Sequence, residues 1–282
     1  MKFHATNPEQ ARQAIEKIKR LGRWARAQAL DATSTNPTAE EAFNTAYHAQ
    51  LEYTGERLHV KVPRIPGHLV MNTVRPLVER LSGRRVTKRS TAQETLEHEE
   101  AMYEQLQSAG VPSLISRRDV REALGVTGVL ITNYAHLDDA RPLIANHPAT
   151  RIALGLRLAQ THDAGVYWAD ANPKNVKQDA HGLILIDFQH QYETTLPGSE
   201  RGAHDLAEIA THAGVLAQNP QAALDVLKGY RNRRELPEEI LSLVRRQRTT
   251  PRLYQRLRNN SIFGEHTGII DETLRSIQRY AR

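Results

Sequence analysis

The sequence predicts an α+β fold, with mixed strands and helices in the first half and mainly helices in the second. Two hydrophobic patterns carry this prediction. Residues 45–53 and 57–62 alternate around Thr54-Gly55-Glu56, as the strands of a hairpin do. Apolar residues recur at helical spacing over Arg151–Ala164 and over most of the chain after Ala203. Of the 282 residues, 39% are hydrophobic and 25% charged, which is typical of a globular protein with a sizeable core.

The elements of the first half follow from their start and stop signals. Asn7-Pro8-Glu9 is typical of a helix start, and apolar spacing continues this helix to about residue 30. The hairpin comes next, and Pro63 ends its second strand. Further helices are predicted over Leu69–Leu81 and Ala92–Ala109, and short strands near Val120–Leu124 and over Gly128–Tyr134.

The second half is predicted to be helical except for one short hairpin. The helix Arg151–Ala164 ends at Gly165. The hairpin covers Val176–Phe188 and turns at Ala180-His181-Gly182. We therefore expect a helical extension at 1–40, an amino lobe at 41–135 and a helical carboxyl lobe at 136–282, the two lobes joining near Tyr134–Ala140.

Composition narrows the classes of function. Lys and Arg exceed Asp and Glu by 38 to 32, a formal charge of +6, which suits a phosphate-rich ligand, RNA or an acidic membrane surface. The chain has no cysteine, which excludes disulfides, a cysteine nucleophile and thiolate metal sites. No apolar run approaches the ~18 residues of a membrane span, and the first residues lack the apolar core of a secretion signal, so we expect a cytoplasmic protein.

Three polar residues of the segment 161–188 predict a metal site. Asp170 follows a short apolar run, Asn175 lies five residues later, and Asp187 follows the strand of the predicted hairpin. The hairpin would return Asp187 to Asn175, and an amide oxygen with a carboxylate suits Mg²⁺. Asp170 could then orient an attacking hydroxyl or accept its proton. The alternative is that Asp170 and Asn175 only form a turn, which Ala169-Asp170-Ala171-Asn172-Pro173 favours in any case.

This segment resembles the catalytic and metal-binding loops of the protein-kinase-like superfamily, H-x-D-x-x-x-x-N followed by D-F-G. The spacing from Asp170 to Asn175 agrees, and Ile186-Asp187-Phe188 is similar to the start of the magnesium motif. Asp205 is similar to the aspartate that anchors the carboxyl lobe in this superfamily. Small atypical members, the KEOPS-complex kinase and lipopolysaccharide kinases, are most similar, over roughly residues 45–215.

The resemblance implies a two-lobed protein-kinase-like fold and assigns residues in the first half. Lys61, in Arg57-Leu58-His59-Val60-Lys61, is similar to the lysine that contacts the α- and β-phosphates of ATP. Glu99 would pair with it, because apolar residues follow Glu99 at the third, fourth and seventh positions. Lys88 is the alternative lysine. Adenine would lie against the hinge near Asn133 and Tyr134.

Several positions depart from the superfamily pattern. Gly22 and Gly55 are the only glycines before Lys61, so no glycine-rich phosphate loop is present. Trp168 replaces the histidine of the catalytic motif, where it could pack under Phe188, and Gln189 replaces the glycine of D-F-G. Residues 228–258 hold ten basic side chains against three glutamates, which suggests either a surface for RNA or anionic lipid, or ordinary solvated helices.

The resemblance implies an ATP- and Mg²⁺-dependent phosphotransferase acting on a hydroxyl acceptor, either a protein Ser/Thr or a saccharide. Lys61, Glu99 and Asp170 would be its catalytic residues, and Asn175 and Asp187 would hold the metal. Two alternatives stay open. The chain could be a catalytically silent kinase-fold module that binds RNA or a protein through its basic carboxyl lobe, or a small-molecule kinase.

Overall fold

The computed structural model describes residues 2–24, 46–63, 90–133, 137–249 and 267–282, which divide into two compact units. The first unit holds the described residues up to Glu104 and residues 114–133, and the second holds Gln105–Ser113 and the residues from 137 onward. A β-sheet builds the first unit and helices build most of the second. The predicted α+β fold class is therefore confirmed.

The sheet of the first unit contains, among the described residues, four strands in the order β1-β2-β3-β4. They are β1 (Lys2–Ala5), β2 (Ala46–Tyr53), β3 (Glu56–Pro63) and β4 (Leu130–Asn133). β1 pairs with β2 in parallel, and the other neighbours are antiparallel. The predicted hairpin is confirmed as β2 and β3. β1 was not predicted, because four residues are too few to show an alternating pattern.

Helices pack against this sheet. α1 (Pro8–Trp24) places Ala11, Ile15 and Ile18 in a core with one face of the sheet. α2 (Ala92–Ser108) ends before Gly110, whose positive φ of 68° is the left-handed cap that the sequence predicts. The predicted helix over Leu69–Leu81 lies outside the described residues.

One predicted strand is wrong. The segment Val120–Leu124 lies largely in a helix, α3 (Arg118–Ala123). Val120 and Leu124 are both buried and lie one helical turn apart, so they share a helix face that packs into the core. Two apolar residues in five positions fit both the two-residue period of a strand and the 3.6-residue period of a helix. The pattern alone therefore led to the wrong prediction for this segment.

The second unit contains helices and a small sheet. The helices are α4 (Arg141–Asn146), α5 (Pro148–Asp163), α6 (Gly198–Leu216), α7 (Gln221–Arg231), α8 (Glu239–Thr249) and α9 (Thr267–Tyr280). The sheet pairs β5 (Asp138–Asp139), β6 (Val176–Asp179) and β7 (Gly182–Leu185). The predicted hairpin is confirmed as β6 and β7, and the predicted helix before Gly165 as α5.

Two glycines let α5 and α7 cross with their backbones in contact. A Cβ atom on Gly155 would lie 1.9 Å from the carbonyl oxygen of Val226, and one on Gly229 would lie 2.0 Å from that of Ile152. These distances are far below any van der Waals contact, so only glycine is compatible with this crossing. Across the described part of the chain, no helix is both long and apolar enough to cross a membrane.

Candidate active site

The first unit contains a buried ion pair between Lys61 on β3 and Glu99 on α2. The Lys61 ammonium donates to both carboxylate oxygens of Glu99, at 2.9 and 2.7 Å, and the two side chains are only 4% and 1% exposed. A buried charge is costly unless an opposite charge and hydrogen bonds compensate it. The structure thus joins two residues that are 38 positions apart and that the sequence predicts to form a pair.

The surroundings of Glu99 distinguish it from its neighbour. Tyr103, one helical turn later, donates its hydroxyl to Glu99 at 3.0 Å and is itself buried. Glu100 instead accepts from Arg118 and Arg121. The α2 carboxylate that contacts the strand lysine is therefore Glu99, while Glu100 ties α2 to α3. Lys88 lies outside the described residues.

Asn133, predicted to lie near adenine, is the last residue of β4. Its side-chain oxygen accepts from the backbone N–H of Ile115 at 2.7 Å, and its own backbone N–H donates to the Ile115 carbonyl at 2.9 Å. The side-chain oxygen of Asn133 thus already holds the segment before α3. Tyr134 lies outside the described residues.

In the second unit, Asp205 on α6 fixes the loop that leads to Asp170. Its carboxylate is fully buried and accepts four hydrogen bonds: from the N–H groups of Trp168 (2.6 Å) and Ala169 (2.9 Å), the Tyr192 hydroxyl (2.6 Å) and His162 Nε2 (3.2 Å). Four donors satisfy the acceptor capacity of a carboxylate. They also hold Ala169 at a φ of 55°, a left-handed conformation that a residue other than glycine adopts only when its surroundings enforce it.

The His162 ring extends this buried network to Tyr230 on α7. His162 Nδ1 lies 2.9 Å from the Tyr230 hydroxyl, and both side chains are buried. Burial raises the pKa of Tyr230 above the ordinary tyrosine value. The hydrogen bonds thus run from α7 through α5 and α6 to the backbone next to Asp170.

Asp170 and Asn175 are brought together by a tight turn. The Asn172 N–H donates to the Asp170 carbonyl at 2.8 Å, and a 3₁₀ turn over Pro173–Asn175 follows. The Asn175 amide then donates to Asp170 Oδ2 at 3.1 Å. Asn175 is buried and Asp170 is half-buried. Because the nitrogen of the Asn175 amide is directed at Asp170, its oxygen lies on the other side of the amide group.

The β6–β7 hairpin returns the chain from Asn175 to Asp187. Val176 pairs with Leu185, and the Ile186 N–H donates to the Asn175 carbonyl at 3.0 Å. Asp187 follows Ile186 directly in the chain. Asp187 has a φ of 69°. The hairpin predicted from the sequence thus returns the chain toward Asn175 through backbone pairing.

Trp168 lies two residues before Asp170, and Gln189 lies two residues after Asp187. The Trp168 indole donates to the Ile186 carbonyl at 2.8 Å, and its ring lies 6.1 Å from the ring of Phe188, centroid to centroid. Trp168 thus connects the Asp170 loop to the segment that bears Asp187, and the predicted packing against Phe188 is present. Gln189 is buried, and its amide donates to Asp187 Oδ1.

The donors in this unit suit a hard cation. Asn175 contributes an amide oxygen and Asp187 a carboxylate, and oxygen ligands of this kind, few in number and completed by waters and phosphates, are typical of protein-bound Mg²⁺. Among the described residues, no cluster of three or more His, Cys, Asp or Glu is placed to hold a metal.

The basic segment 228–258 is described only up to residue 249. Exposed cations within it include Lys228, Arg231 and Arg233. Arg233 and its neighbour Arg234 both contact Asp163, at 2.6 and 3.3 Å, so part of this charge is paired within the second unit.

Four residues that support the site were not assigned this role from sequence: Tyr103, Gln189, Tyr192 and Tyr230. Tyr103 stood in the packing pattern after Glu99, but a pattern of apolar spacing does not reveal a hydrogen bond. Tyr192 and Tyr230 reach Asp205 and His162 through tertiary contacts, for which the sequence carries no local signal.

No family model matches the chain, and no curated protein matches it. Solved structures do resemble it. One of them, WaaP in complex with acyl carrier protein, is 14% identical with a TM-score of 0.46, covering 96% of this chain and 93% of that chain. So distant a likeness transfers no function, and the functional proposal therefore depends on the contacts described above.

Proposed function

We propose that the protein is an ATP- and Mg²⁺-dependent phosphotransferase of atypical kinase type that acts on a hydroxyl acceptor, either a protein Ser/Thr or a saccharide. The observation that carries the proposal is the buried Lys61–Glu99 pair, at 2.7 Å. A buried lysine fixed by a carboxylate is a rigid cationic donor for phosphate oxygens, as phosphoryl transfer requires. The proposed use of ATP includes a cytoplasmic location, because ATP is available in the cytoplasm.

Each residue has a defined role in this proposal. Lys61 contacts the α- and β-phosphates and Glu99 holds it in place. Asn175 and Asp187 supply oxygen ligands to Mg²⁺, which stabilises negative charge on the phosphates. Asp170 orients the acceptor hydroxyl and takes its proton while the acceptor oxygen bonds to the γ-phosphorus and the bond to the β-phosphate oxygen breaks. The products are the phosphorylated acceptor and ADP. Asn133 and Tyr134 are proposed to contact adenine.

Asp205 supports this role for Asp170. It holds the backbone of Trp168 and Ala169, so the carboxylate of Asp170 needs little reorganisation before reaction. The hydrogen bond from Asn175 further restricts the Asp170 side chain.

The test is Mg²⁺-dependent transfer from ATP to hydroxyl-bearing peptides and saccharides. The substitution Asp170→Ala should lower turnover by about 10²- to 10⁴-fold, the usual contribution of a positioned acid or base, while nucleotide affinity stays close to that of the wild type. Asp138→Ala, which changes an exposed aspartate, is the matched control and should retain full activity. Equal turnover in Asp170→Ala and the wild type would contradict the assigned role.

A second candidate is the catalytically silent binding module. The contact from Gln189 to Asp187 favours it, because the amide occupies a carboxylate oxygen that a metal could use. In that case RNA binding should weaken steeply with salt and be reduced when Arg245, Arg246 and Arg248 are replaced by alanine. Such binding without any ATP turnover would favour this candidate over the phosphotransferase.

A further inference from the structure

The sheet of the first unit has two chemically different faces. Residues directly opposite in paired strands share a face, and the face packed on α1 is apolar, with Tyr47, Ala49, Leu51, Leu58, Val60, Val62 and Ile131. On the other face, His48 lies opposite Lys61, and His59 lies opposite Thr132. Lys61 is buried there beside Glu99, whereas His48 is exposed and His59 half-buried.

His48 and His59 form a hydrogen-bonded, stacked pair on this second face. His48 Nδ1 and His59 Nε2 are 3.0 Å apart, and the rings are stacked at 5.1 Å with 20° between their planes. His59 Nδ1 also lies 3.5 Å from the Thr132 hydroxyl. The hydrogen bond between the two rings uses one proton, so the pair accommodates a total charge of zero or +1. A second proton would place two N–H groups against each other.

The charge on this face favours an anion. Cations or histidines lie on each of the strands β1, β2 and β3. Carboxylates come from β2 and from α2, whose Glu99 contacts Lys61. The titratable and charged side chains of this face include Lys2, His4, His48, Glu52, Arg57, His59, Lys61 and Glu99. His4 pairs with Glu52 at 3.0 Å, and Glu99 compensates Lys61. The His48–His59 pair lies beside Lys61 on this face and, as two imidazoles that share one hydrogen bond, can take up one further proton.

The sequence before Lys61 bears on which groups can contact phosphate on this face. Gly22 and Gly55 are the only glycines before Lys61, so no glycine-rich loop can cradle phosphates with backbone N–H groups. Imidazole can donate to phosphate from either ring nitrogen when it is protonated, and it is the side chain that ordinarily changes charge between pH 5 and 8.

We propose that His48 and His59 form a phosphate-binding subsite for the nucleotide, adjacent to Lys61, and that the pair takes up a proton when the phosphates bind. This inference rests on the proposed function, because it assigns part of the nucleotide site. Binding should consequently strengthen as the pH falls, since the anion prefers the protonated pair.

The test is calorimetric titration with Mg·ADP between pH 6 and 8, in two buffers of different ionisation enthalpy so that proton uptake is measured directly. The variants are His48→Gln and His59→Gln. The control is His4→Gln, an exposed histidine on the same face. In the double variant His48→Gln/His59→Gln both imidazoles are absent, so the pH dependence of its affinity for Mg·ADP gives the contribution of the ligand's own titration.

On binding Mg·ADP, the wild type and His4→Gln should take up more protons than the double variant His48→Gln/His59→Gln. Either single variant should weaken binding at pH 6 by about tenfold, the order expected for loss of a charged hydrogen bond, and by less at pH 8. Adenosine, which has no phosphate, should bind all variants equally. A histidine effect of the same size on adenosine, or identical pH profiles in all proteins, would overturn the subsite while leaving the phosphotransferase proposal intact. Absence of ADP binding by the wild type would overturn both.

Discussion

Lys61 and Glu99 form a buried ion pair in the first unit. Both charges are buried, and each is compensated by the other and, for Glu99, by the Tyr103 hydroxyl. Removing one member leaves the other charge buried without compensation. That loss is usually more destabilising than the pair itself is stabilising.

We therefore expect Glu99→Ala to lower the free energy of unfolding by about 3–5 kcal/mol, measured by urea denaturation. The control is Asp271→Ala on α9, which removes an exposed pair with Arg275 and should cost only about 0.3–0.5 kcal/mol. If the two variants lost similar stability, the buried pair would not have the electrostatic role described here.

Tyr230 gives a prediction about high pH. Burial raises its pKa, so the folded protein favours the neutral phenol. A group with a raised folded-state pKa contributes stability that is fully present below its ordinary pKa, about 10 for tyrosine, and is lost as the pH rises through the higher folded-state value.

Tyr230→Phe should accordingly lose less stability than the wild type when the pH is raised from 9 to 11. Urea denaturation at each pH measures the difference, and Tyr280→Phe, a half-exposed tyrosine at the end of α9, is the control. Parallel stability curves for the wild type and Tyr230→Phe would show that the Tyr230 phenol ionises as readily in the folded as in the unfolded chain.

At the scale of elements, the α5–α7 crossing depends on Gly155 and Gly229. Alanine in place of glycine ordinarily stabilises a helix interior by about 1 kcal/mol. Here the added Cβ atoms would meet backbone carbonyl oxygens at 1.9 and 2.0 Å, and a backbone cannot rotate away as a side chain can.

Gly155→Ala and Gly229→Ala should therefore destabilise the protein by about 1–3 kcal/mol or more, the usual cost of overpacking, with a lower midpoint of thermal unfolding. The sign of the change in the free energy of unfolding is sufficient to test this crossing. A stabilised variant would mean that the helices lie further apart than described. Because α5 carries His162 and α7 carries Tyr230, we also expect the destabilised variants to lose phosphotransfer activity.

Elements were predictable where the chain carries a long or sharply bounded pattern. The β2–β3 hairpin has eight-residue strands around Thr54-Gly55, and α5 has a long periodic run closed by Gly165. β1 and α3 were missed or misassigned because four to six residues cannot distinguish a period of 2 from one of 3.6.

For the molecule as a whole, spacing along the chain predicted which polar residues meet, but not what holds them. The turn from Asp170 to Asn175 and the return to Asp187 are local, so five residues and one hairpin were enough to predict them. The four hydrogen bonds on Asp205 join residues up to 43 positions apart, and two of their donors are backbone N–H groups, which any sequence has. The resemblance marked Asp205 as an anchoring residue, but its partners are determined by tertiary packing and no local pattern of the sequence indicates them.

The proposed function assigns roles to Lys61 in the first unit and to Asn175 and Asp187 in the second.

The most direct test of this account is nucleotide binding measured by calorimetry with and without Mg²⁺, in the wild type and in Asp187→Asn. The substitution keeps the size of the side chain and removes its charge. We predict that Mg²⁺ strengthens ATP binding by the wild type at least about tenfold, the effect of one charge-assisted contact, and that Asp187→Asn abolishes this gain. ATP affinity that is the same with Mg²⁺ and with a chelator, in both proteins, would contradict the metal site and with it the proposed phosphotransferase.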